Sequence, residues 1–287
     1  MEAGDTLQHD ALNGSAGDES WPLREVDLTA AIERGEFLVE YQPVVSMRSG
    51  VITCAEASLR WAHPHRGVLS QDDFNPGVER IGASALPGQF IVTEACRQLG
   101  IWSQRGGGVP SILLNLSVIQ ICTAEIPEVL EDSVARNGLA PSQLTLEVSG
   151  ESKLEKSPQL LERLKLLRQR GYRIVLGDFG ARHTSMPLLM QLPVSGVKFG
   201  RTFTVTLPNS AVSREILSNM ARLLRDLGLT LTVAGVDKDG QLAVVRKYAD
   251  IELQGALIGG PVSAEALPAS VNFGALSQVD LHKAGGG

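Results

Sequence analysis

Short apolar segments alternate with helical ones between residues 111 and 255, and this rhythm constrains the fold more than any other feature. Helical patterns lie between most of these segments, and several end in glycine, as helix C-termini often do. Parallel strands need a long crossover connection, usually a helix, so the rhythm predicts parallel β/α units. The six predicted strands are 111–117, 144–149, 173–179, 194–200, 230–236 and 250–255.

Two earlier segments, 37–46 and 51–61, add an antiparallel hairpin joined by the short connection "MRSG". They bring the predicted strand number to eight. Eight strands in a β/α rhythm favour a closed barrel. A doubly wound open sheet is the alternative, but no glycine-rich phosphate loop follows the early strands.

The region around the hairpin predicts three further features. A short helix begins with Asp27 as its N-cap and ends at Gly35. Proline and glycine interrupt residues 62–88, which predicts a long loop there. A helix at about 89–105 follows that loop.

Composition predicts a globular, mildly acidic protein. The net charge is −6 and 43% of the 287 residues are hydrophobic, which argues against a nucleic-acid or anionic-membrane binder. No apolar run reaches the roughly 18 residues of a membrane span. Three widely spaced cysteines predict reduced thiols in a cytoplasmic protein. We expect a disordered acidic segment at 1–22, a barrel domain at 23–270 and a C-terminal tail at 271–287.

Seven of the predicted strands carry a polar residue within or at the end of an apolar run. A barrel gathers the C-terminal ends of its strands at one mouth, where such residues meet. Carboxylate and amide oxygens suit Mg²⁺ or Mn²⁺, while Lys198 and Arg60 suit a phosphate. The pattern indicates a metal-assisted phosphate-ester site or its remains. Alternatively, the acids pair internally with Lys198 and Arg60. The seven residues are Gln42, Glu56, Asn115, Glu147, Asp178, Lys198 and Gln254.

The motifs resemble those of the EAL domain family from about residue 23 to residue 267. They are "EYQPVVSMRSGVITCAEASLRWAHPHRG", "LLNLS", "LTLEVS", "GDFG", "LPVSGVKFGRTF", "VAGVDKDGQL" and "LQGALIGGP". The resemblance implies a modified (β/α)8 TIM-like barrel with an antiparallel first strand. It also implies a phosphodiesterase that linearises cyclic di-GMP with divalent metal ions.

Carried over by motif, the resemblance assigns a role to each polar position. It implies Lys198 as the catalytic lysine. The implied ligand contacts are Gln42, Arg60, Asp178, Gln254 and Pro261. The implied metal ligands are Glu56, Asn115, Glu147 and Asp178.

The departures from the family pattern fall on the chemistry. Four acidic positions of the family are occupied here by Gly150, Gly177, Gly200 and Ala234. Gly177 stands where a ligand bridges two metals, and two-metal catalysis needs such a shared ligand. Ligand contacts are also weakened, because Ser58, Ala256 and Gly260 replace a leucine, an aromatic residue and an arginine. One weak Mg²⁺ or Mn²⁺ site is the most that this set predicts.

Three hypotheses follow. The first is a catalytically inactive EAL domain that acts as a regulatory or protein-interaction module. The second is a receptor that binds cyclic di-GMP without cutting it. The third is a slow phosphodiesterase in which Glu151 and Asp237 substitute for lost ligands. The resemblance also implies a homodimer through the loop containing 181–183, although that loop is altered.

Overall fold

The computed structural model describes residues 23–106, 108–149, 157–180 and 186–271. The strands are β1 Phe37–Ser46, β2 Ile52–His63, β3 Gly67–Ser70, β4 Ile112–Asn115, β5 Leu144–Val148, β6 Arg173–Phe179, β7 Gly196–Phe199, β8 Thr230–Val233 and β9 Glu252–Leu253. The α-helices are α1 Glu25–Glu33, α2 Gln71–Arg80, α3 Ala85–Arg105, α4 Val118–Cys122, α5 Glu125–Arg136, α6 Pro158–Gln169, α7 Met186–Gln191, α8 Arg201–Thr204, α9 Ala211–Asp226 and α10 Asp239–Val245. Short 3₁₀ turns cover Pro141–Gln143 and Leu267–Ala269.

Eight of these strands close into a barrel in the order β1-β9-β8-β7-β6-β5-β4-β2, and pairing of β1 with β2 completes the ring. Strand β1 runs antiparallel to both of its neighbours, whereas the others pair in parallel. Strand β3 pairs with β2 outside the ring. The predicted modified barrel with an antiparallel first strand is confirmed.

The prediction of a long loop over residues 62–88 was wrong, because β3, α2 and the start of α3 lie there. The amide of Ser70 donates to Asp73 Oδ2 at 2.7 Å, which caps the start of α2. Phe74 and Val78, one turn apart, are both buried. The cap and the buried face outweigh the cost of Pro76 inside the helix.

The predicted N-cap of α1 was also misplaced by three residues. Arg24 is the N-cap, and Asp27 accepts the Arg24 backbone amide at 3.0 Å from the N3 position. A carboxylate at N3 satisfies an amide that the helix leaves unpaired. Gly35 follows the end of the helix with φ of 68°.

The barrel interior contains a small apolar cluster below its polar mouth. Val44, Cys54 and Leu113 form a separate buried cluster inside the ring. Residues two apart on a strand face the same way, so Glu56 shares a face of β2 with Cys54, and Asn115 shares a face of β4 with Leu113. The outer faces of the strands pack against the helices in one continuous core. Within the described ranges, no helix has the length and apolar character needed to cross a membrane.

Candidate active site at the barrel mouth

A buried lysine ties two carboxylates together at the centre of the mouth. Lys198 Nζ on β7 donates to Glu56 Oε2 at 2.6 Å and to Glu147 Oε2 at 2.8 Å. The side chains of Lys198 and Glu147 are 7% and 5% exposed, and that of Glu56 is 16% exposed. An ammonium donates several hydrogen bonds in directions set by its geometry, so this contact fixes both carboxylates.

Two glutamines extend this contact to the antiparallel side of the barrel. Gln254 Nε2, just after β9, donates to Glu56 Oε2 at 2.6 Å and to Gln42 Oε1 at 3.1 Å. Gln42 Nε2 in turn donates to the Gly259 carbonyl at 2.9 Å. Five of the seven polar strand residues therefore belong to one hydrogen-bonded chain. The sequence predicted that these residues meet at the mouth of the barrel, but not that they bond to one another.

Burial and charge act in opposite directions on the three ionisable groups. Burial raises the pKa of Glu56, but the charge of Lys198 and hydrogen bonds from Lys198 and Gln254 outweigh it, so the pKa lies below its usual value. Burial also raises the pKa of Glu147, and the charge of Glu56 adds to that effect, so its pKa lies above the usual value despite Lys198. Burial lowers the pKa of Lys198, but the two carboxylates raise it well above its ordinary range.

The Glu147 carboxylate lies in the space that a side chain at position 177 would need. A Cβ built on Gly177 would overlap Glu147 Oε1 and would lie 2.8 Å from Cγ and 2.9 Å from Cδ. Real Cβ atoms do not approach other heavy atoms so closely. The absence of a side chain at position 177 thus leaves room for the Glu147 carboxylate beside β6.

Strand β6 is irregular at this point. Leu176 pairs with Val197 and Phe179 with Phe199, so Gly177 and Asp178 together oppose one residue of β7. Such a bulge redirects a side chain at a strand end. Asp178 has φ of 48°, the one positive value among non-glycine residues in the described ranges.

The carboxylate of Asp178 leans over β7. A Cβ at Gly200 would lie 2.8 Å from Asp178 Oδ1, so the absence of a side chain at 200 leaves room for this carboxylate. The side chain of Asp178 is exposed at the mouth. Asp178 therefore lies at the exposed edge of the mouth beside Gly200, and its charge helps to raise the pKa of Glu147.

Arg60 does not join this network. Its Nε donates to Glu40 Oε2 at 2.8 Å, across the β1–β2 hairpin. The side chains are 24% and 38% exposed, so the pair is weakly stabilising. Internal pairing of the acids with Lys198 is therefore seen, whereas pairing with Arg60 is not.

Two adjoining cavities open at the mouth. One, of about 460 Å³, is lined by Gln42, Asn115, Asp178 and Gln254, and also by Ala234. The other, of about 410 Å³, is lined by Ser58, Arg60, Asn115 and further hydroxyl and amide groups. Both volumes suit a small polar ligand.

Asp72 on α2 lines both cavities, although the sequence did not predict it as a site residue. It was missed because α2 was predicted as loop. Pro261, a predicted ligand contact, is exposed and lies outside the lining of both cavities. The signal that could have placed Asp72 was the Ser70–Asp73 capping pattern, which starts a helix beside β2.

Of the two substitute ligands in the third hypothesis, the structure describes Asp237 but not Glu151. Asp237 Oδ1 accepts the Ala256 amide at 2.8 Å, and Oδ2 lies 3.3 Å from Arg201. These contacts engage both oxygens of Asp237. Residues 150–151, 181–183 and the predicted N-terminal segment lie outside the described residues.

The mouth does not fit a pair of metal ions. Gly177 and Ala234 offer no side-chain oxygen, and the facing oxygens of Glu56 and Glu147 are occupied by Lys198. In the part of the chain that the structure describes, no group of three or more His, Cys, Asp and Glu residues is arranged to hold a metal ion. Two-metal catalysis requires a ligand shared by both ions.

The sequence that forms this barrel matches the profile of a known family. The family profile described as "EAL domain" matches residues 25–261. This chain belongs to the EAL domain family. The resemblance that the motifs indicated is thereby confirmed.

Several proteins of this EAL family are similar to the chain. It is 34% identical over 261 residues to the bifunctional diguanylate cyclase/cyclic di-GMP phosphodiesterase MucR of Pseudomonas aeruginosa, which covers 91% of this chain and 38% of MucR. It is 27% identical over 241 residues to the oxygen sensor protein DosP of Escherichia coli, covering 84% of this chain and 30% of DosP. The chain thus spans less than two fifths of the length of these two relatives.

Solved EAL structures share the fold. The structure titled "PaMucR Phosphodiesterase, c-di-GMP complex" superposes with a TM-score of 0.77 at 32% identity, covering 85% of this chain and all of that one. The EAL domain of FimX from Xanthomonas citri, in complex with c-diGMP, gives a TM-score of 0.74 at 19% identity, covering 84% of this chain and 94% of that one. The second likeness concerns the fold alone.

Proposed function

We propose that this EAL domain is catalytically inactive and acts as a regulatory or protein-interaction module in cyclic di-GMP-linked signalling. The observation that carries the proposal is the position of Glu147. Its carboxylate is held by Lys198 and fills the space beside Gly177, where the family pattern has a bridging aspartate. A metal-activated hydroxide needs two ions with a shared ligand, and the side chains at 177 and 234 supply none.

The test is incubation of the purified chain with cyclic di-GMP and Mg²⁺ or Mn²⁺, followed by chromatography for the linear product. We expect no product above the level seen with Glu56→Gln, which removes an acid at the centre of the mouth. The MucR phosphodiesterase serves as the positive control. Turnover at ordinary enzyme rates of about 1–10³ s⁻¹, abolished by Glu56→Gln, would overturn the proposal.

A second candidate function is binding of cyclic di-GMP without hydrolysis. It is favoured by the two open cavities and by the retained Gln42, Arg60 and Gln254 at their walls. The guanidinium of Arg60 is suited to a phosphate, and its pairing with Glu40 is partly exposed and therefore easily exchanged. The complex with MucR supports cyclic di-GMP as the ligand to try first.

Calorimetry in the absence and presence of metal tests this receptor function. Saturable binding that Arg60→Ala weakens and Glu40→Gln leaves intact would support it. Absence of heat and of any thermal shift at saturating nucleotide would reject it. The partial match to the family pattern favours the first function, because Ser58, Ala256 and Gly260 all replace larger contact residues of the family.

The proposal extends to partners and location. A protein partner is proposed because the chemistry at 177 and 234 is lost while the scaffold is retained.

Three free cysteines, two of them buried, support a location in the reducing cytoplasm. Light scattering of the purified chain, with and without nucleotide, tests the proposed homodimer and whether the ligand changes it.

The slow phosphodiesterase remains the third alternative. Its predicted substitute Asp237 is held by Ala256 and Arg201, which argues against it as a metal ligand. The same hydrolysis assay decides this alternative. Slow, metal-dependent turnover that Asp237→Asn removes would favour it over the inactive module.

A further inference from the structure

A cavity of about 240 Å³ lies at the end of the barrel away from the polar mouth. Its walls are the second half of α9 and the segment 247–251, which leads into β9. Strands β8 and β9 pair in parallel, and their C-terminal ends are at the mouth. The residues that precede these strands therefore mark the opposite end of the barrel. We call this space the basic cavity.

One face of α9 supplies the first wall of the basic cavity. Residues 218, 221, 222 and 225 all line it, and this spacing of three and four places them on the same side of the helix. Ser218 and Ala221 are small, so they leave space between the longer side chains of Arg222 and Arg225. Lys247 lines the cavity from the other wall. Three cationic side chains from two segments thus surround one hollow.

The carboxylate in the lining is already engaged by an arginine from a third segment. Asp250 forms an ion pair with Arg48, which lies in the turn between β1 and β2 and outside the cavity lining. The hydrogen bond from Arg48 is the main reason that the pKa of Asp250 lies below its usual value. The wall of the cavity is therefore positive overall, in a chain whose net charge is −6.

The arginines of the basic cavity retain donor capacity. Arg222 Nη2 donates to the neutral amide oxygen of Asn219 at 3.0 Å. Arg225 lies 3.6 Å from Asp226 and 3.7 Å from Asp250, and both distances are longer than a hydrogen bond. A guanidinium has five N–H donors, so both side chains can receive an anion.

The helix dipole explains only part of this arrangement. A cation in the last turn of a helix is stabilised by the carbonyl groups there, and Arg225 lies in the last turn of α9. Arg222 lies one turn earlier, and Lys247 belongs to a different segment. Their convergence on the same cavity is typical of a site that receives an anion.

We propose that the basic cavity is a binding site for the phosphate group of a small soluble molecule, separate from the barrel mouth. Arg222 and Arg225 supply planar donors for the phosphate oxygens, and Lys247 supplies a point charge. The cavity is smaller than the roughly 300 Å³ at which pockets for drug-sized ligands begin, so it accommodates a phosphate with a small substituent. The site binds its ligand without chemistry, because barrel enzymes carry their active sites at the other end.

The test is calorimetric titration of the full chain with pyrophosphate in metal-free buffer at low salt. We expect saturable binding to one site, and we expect it to weaken as salt is added. The double variant Arg222→Gln/Lys247→Gln should weaken binding about tenfold or more, because it removes two charged donors. Ala221→Leu, which fills the cavity and keeps every charge, should weaken it as well.

Two control variants locate the site. Arg136→Gln/Lys165→Gln removes the same charge from exposed helix positions elsewhere and should leave the affinity within about twofold. Arg60→Ala removes the arginine of the barrel mouth and should also leave it unchanged. Circular dichroism of each variant checks that the fold is retained.

Four results would overturn the proposal. They are an absence of saturable pyrophosphate binding by the unmodified chain, equal weakening by the two double variants, loss of binding in Arg60→Ala alone, and tighter binding of a tetraglutamate peptide than of pyrophosphate. The last result would indicate an acidic segment of a protein as the ligand. None of these results depends on hydrolysis or binding of cyclic di-GMP, so the proposed function is tested separately.

Discussion

Replacement of Gly177 by alanine tests whether Glu147 depends on the missing side chain. The new Cβ would overlap Glu147 Oε1, so the carboxylate must turn into the 460 Å³ cavity and leave Lys198. Loss of a hydrogen bond to a charged group costs about 1.5–3 kcal/mol. Alanine at a compatible backbone angle returns about 0.4–1 kcal/mol through the unfolded chain. The expected net loss is about 0.5–2.5 kcal/mol.

Urea unfolding followed by circular dichroism measures this change, and a double-mutant cycle assigns it. In a Glu147→Ala background no carboxylate meets the new Cβ, so Gly177→Ala should be neutral or slightly stabilising. The two substitutions should therefore couple by about 1.5–3 kcal/mol.

Gly200→Ala is the matched control at the same mouth. Its Cβ would meet Asp178 Oδ1 at 2.8 Å, at the exposed end of a side chain with room to move. We expect a smaller loss than for Gly177→Ala, because the atom that must move is the end of an exposed side chain, although Gly200 itself is buried. A Gly177–Glu147 coupling below about 0.5 kcal/mol would refute the argument that Glu147 fills the space of the lost ligand.

Three further predictions concern backbone strain and thiol burial. Asp178→Asn should change the free energy of unfolding by less than about 0.5 kcal/mol. Asp178→Val should lower it by about 1–3 kcal/mol, because a β-branched residue tolerates φ of 48° poorly. Chemical unfolding of both variants checks this prediction. Gly255→Ala should lower the free energy of unfolding by more than about 3 kcal/mol, since its Cβ would overlap backbone atoms of the loop after β8; a soluble variant with unchanged unfolding would contradict the geometry. Burial raises the pKa of the Cys54 and Cys96 thiols to about 12. At pH 8 a thiol reagent should therefore label only Cys122 in the folded chain, as measured by mass spectrometry of labelled peptides. Rapid labelling of Cys54 or Cys96 would contradict this prediction.

The sequence predicted the barrel because its signals are local. Alternating strand and helix patterns and the short hairpin between residues 46 and 52 report on neighbours along the chain. The prediction failed over residues 62–88. Proline and glycine there indicated a loop, although a capping pair and a buried face favour the helix α2 that the structure contains. Asp72 was lost from the candidate site for that reason.

Membership of the EAL family and the types of residue at the mouth were also within reach of the sequence. From its place in "GDFG", the sequence predicts that Gly177 stands where the family has a metal ligand. The sequence could not say what occupies the space that it leaves. Two interpretations of the acids, ligand site or internal pairing, stayed open at that level.

Tertiary structure alone decided how the polar residues pair. Lys198 meets partners 142 and 51 positions away along the chain, and no spacing rule relates such distances to a contact. Ring closure brings β2, β5 and β7 to one interior, where burial makes an unpaired charge costly and each group takes the nearest complement. Arg60 lies on the hairpin and pairs with Glu40, so of the two alternatives for Arg60 the structure does not show pairing with the acids of the mouth. Strand patterns determined the barrel; packing across its interior determined that a lysine stands between Glu56 and Glu147.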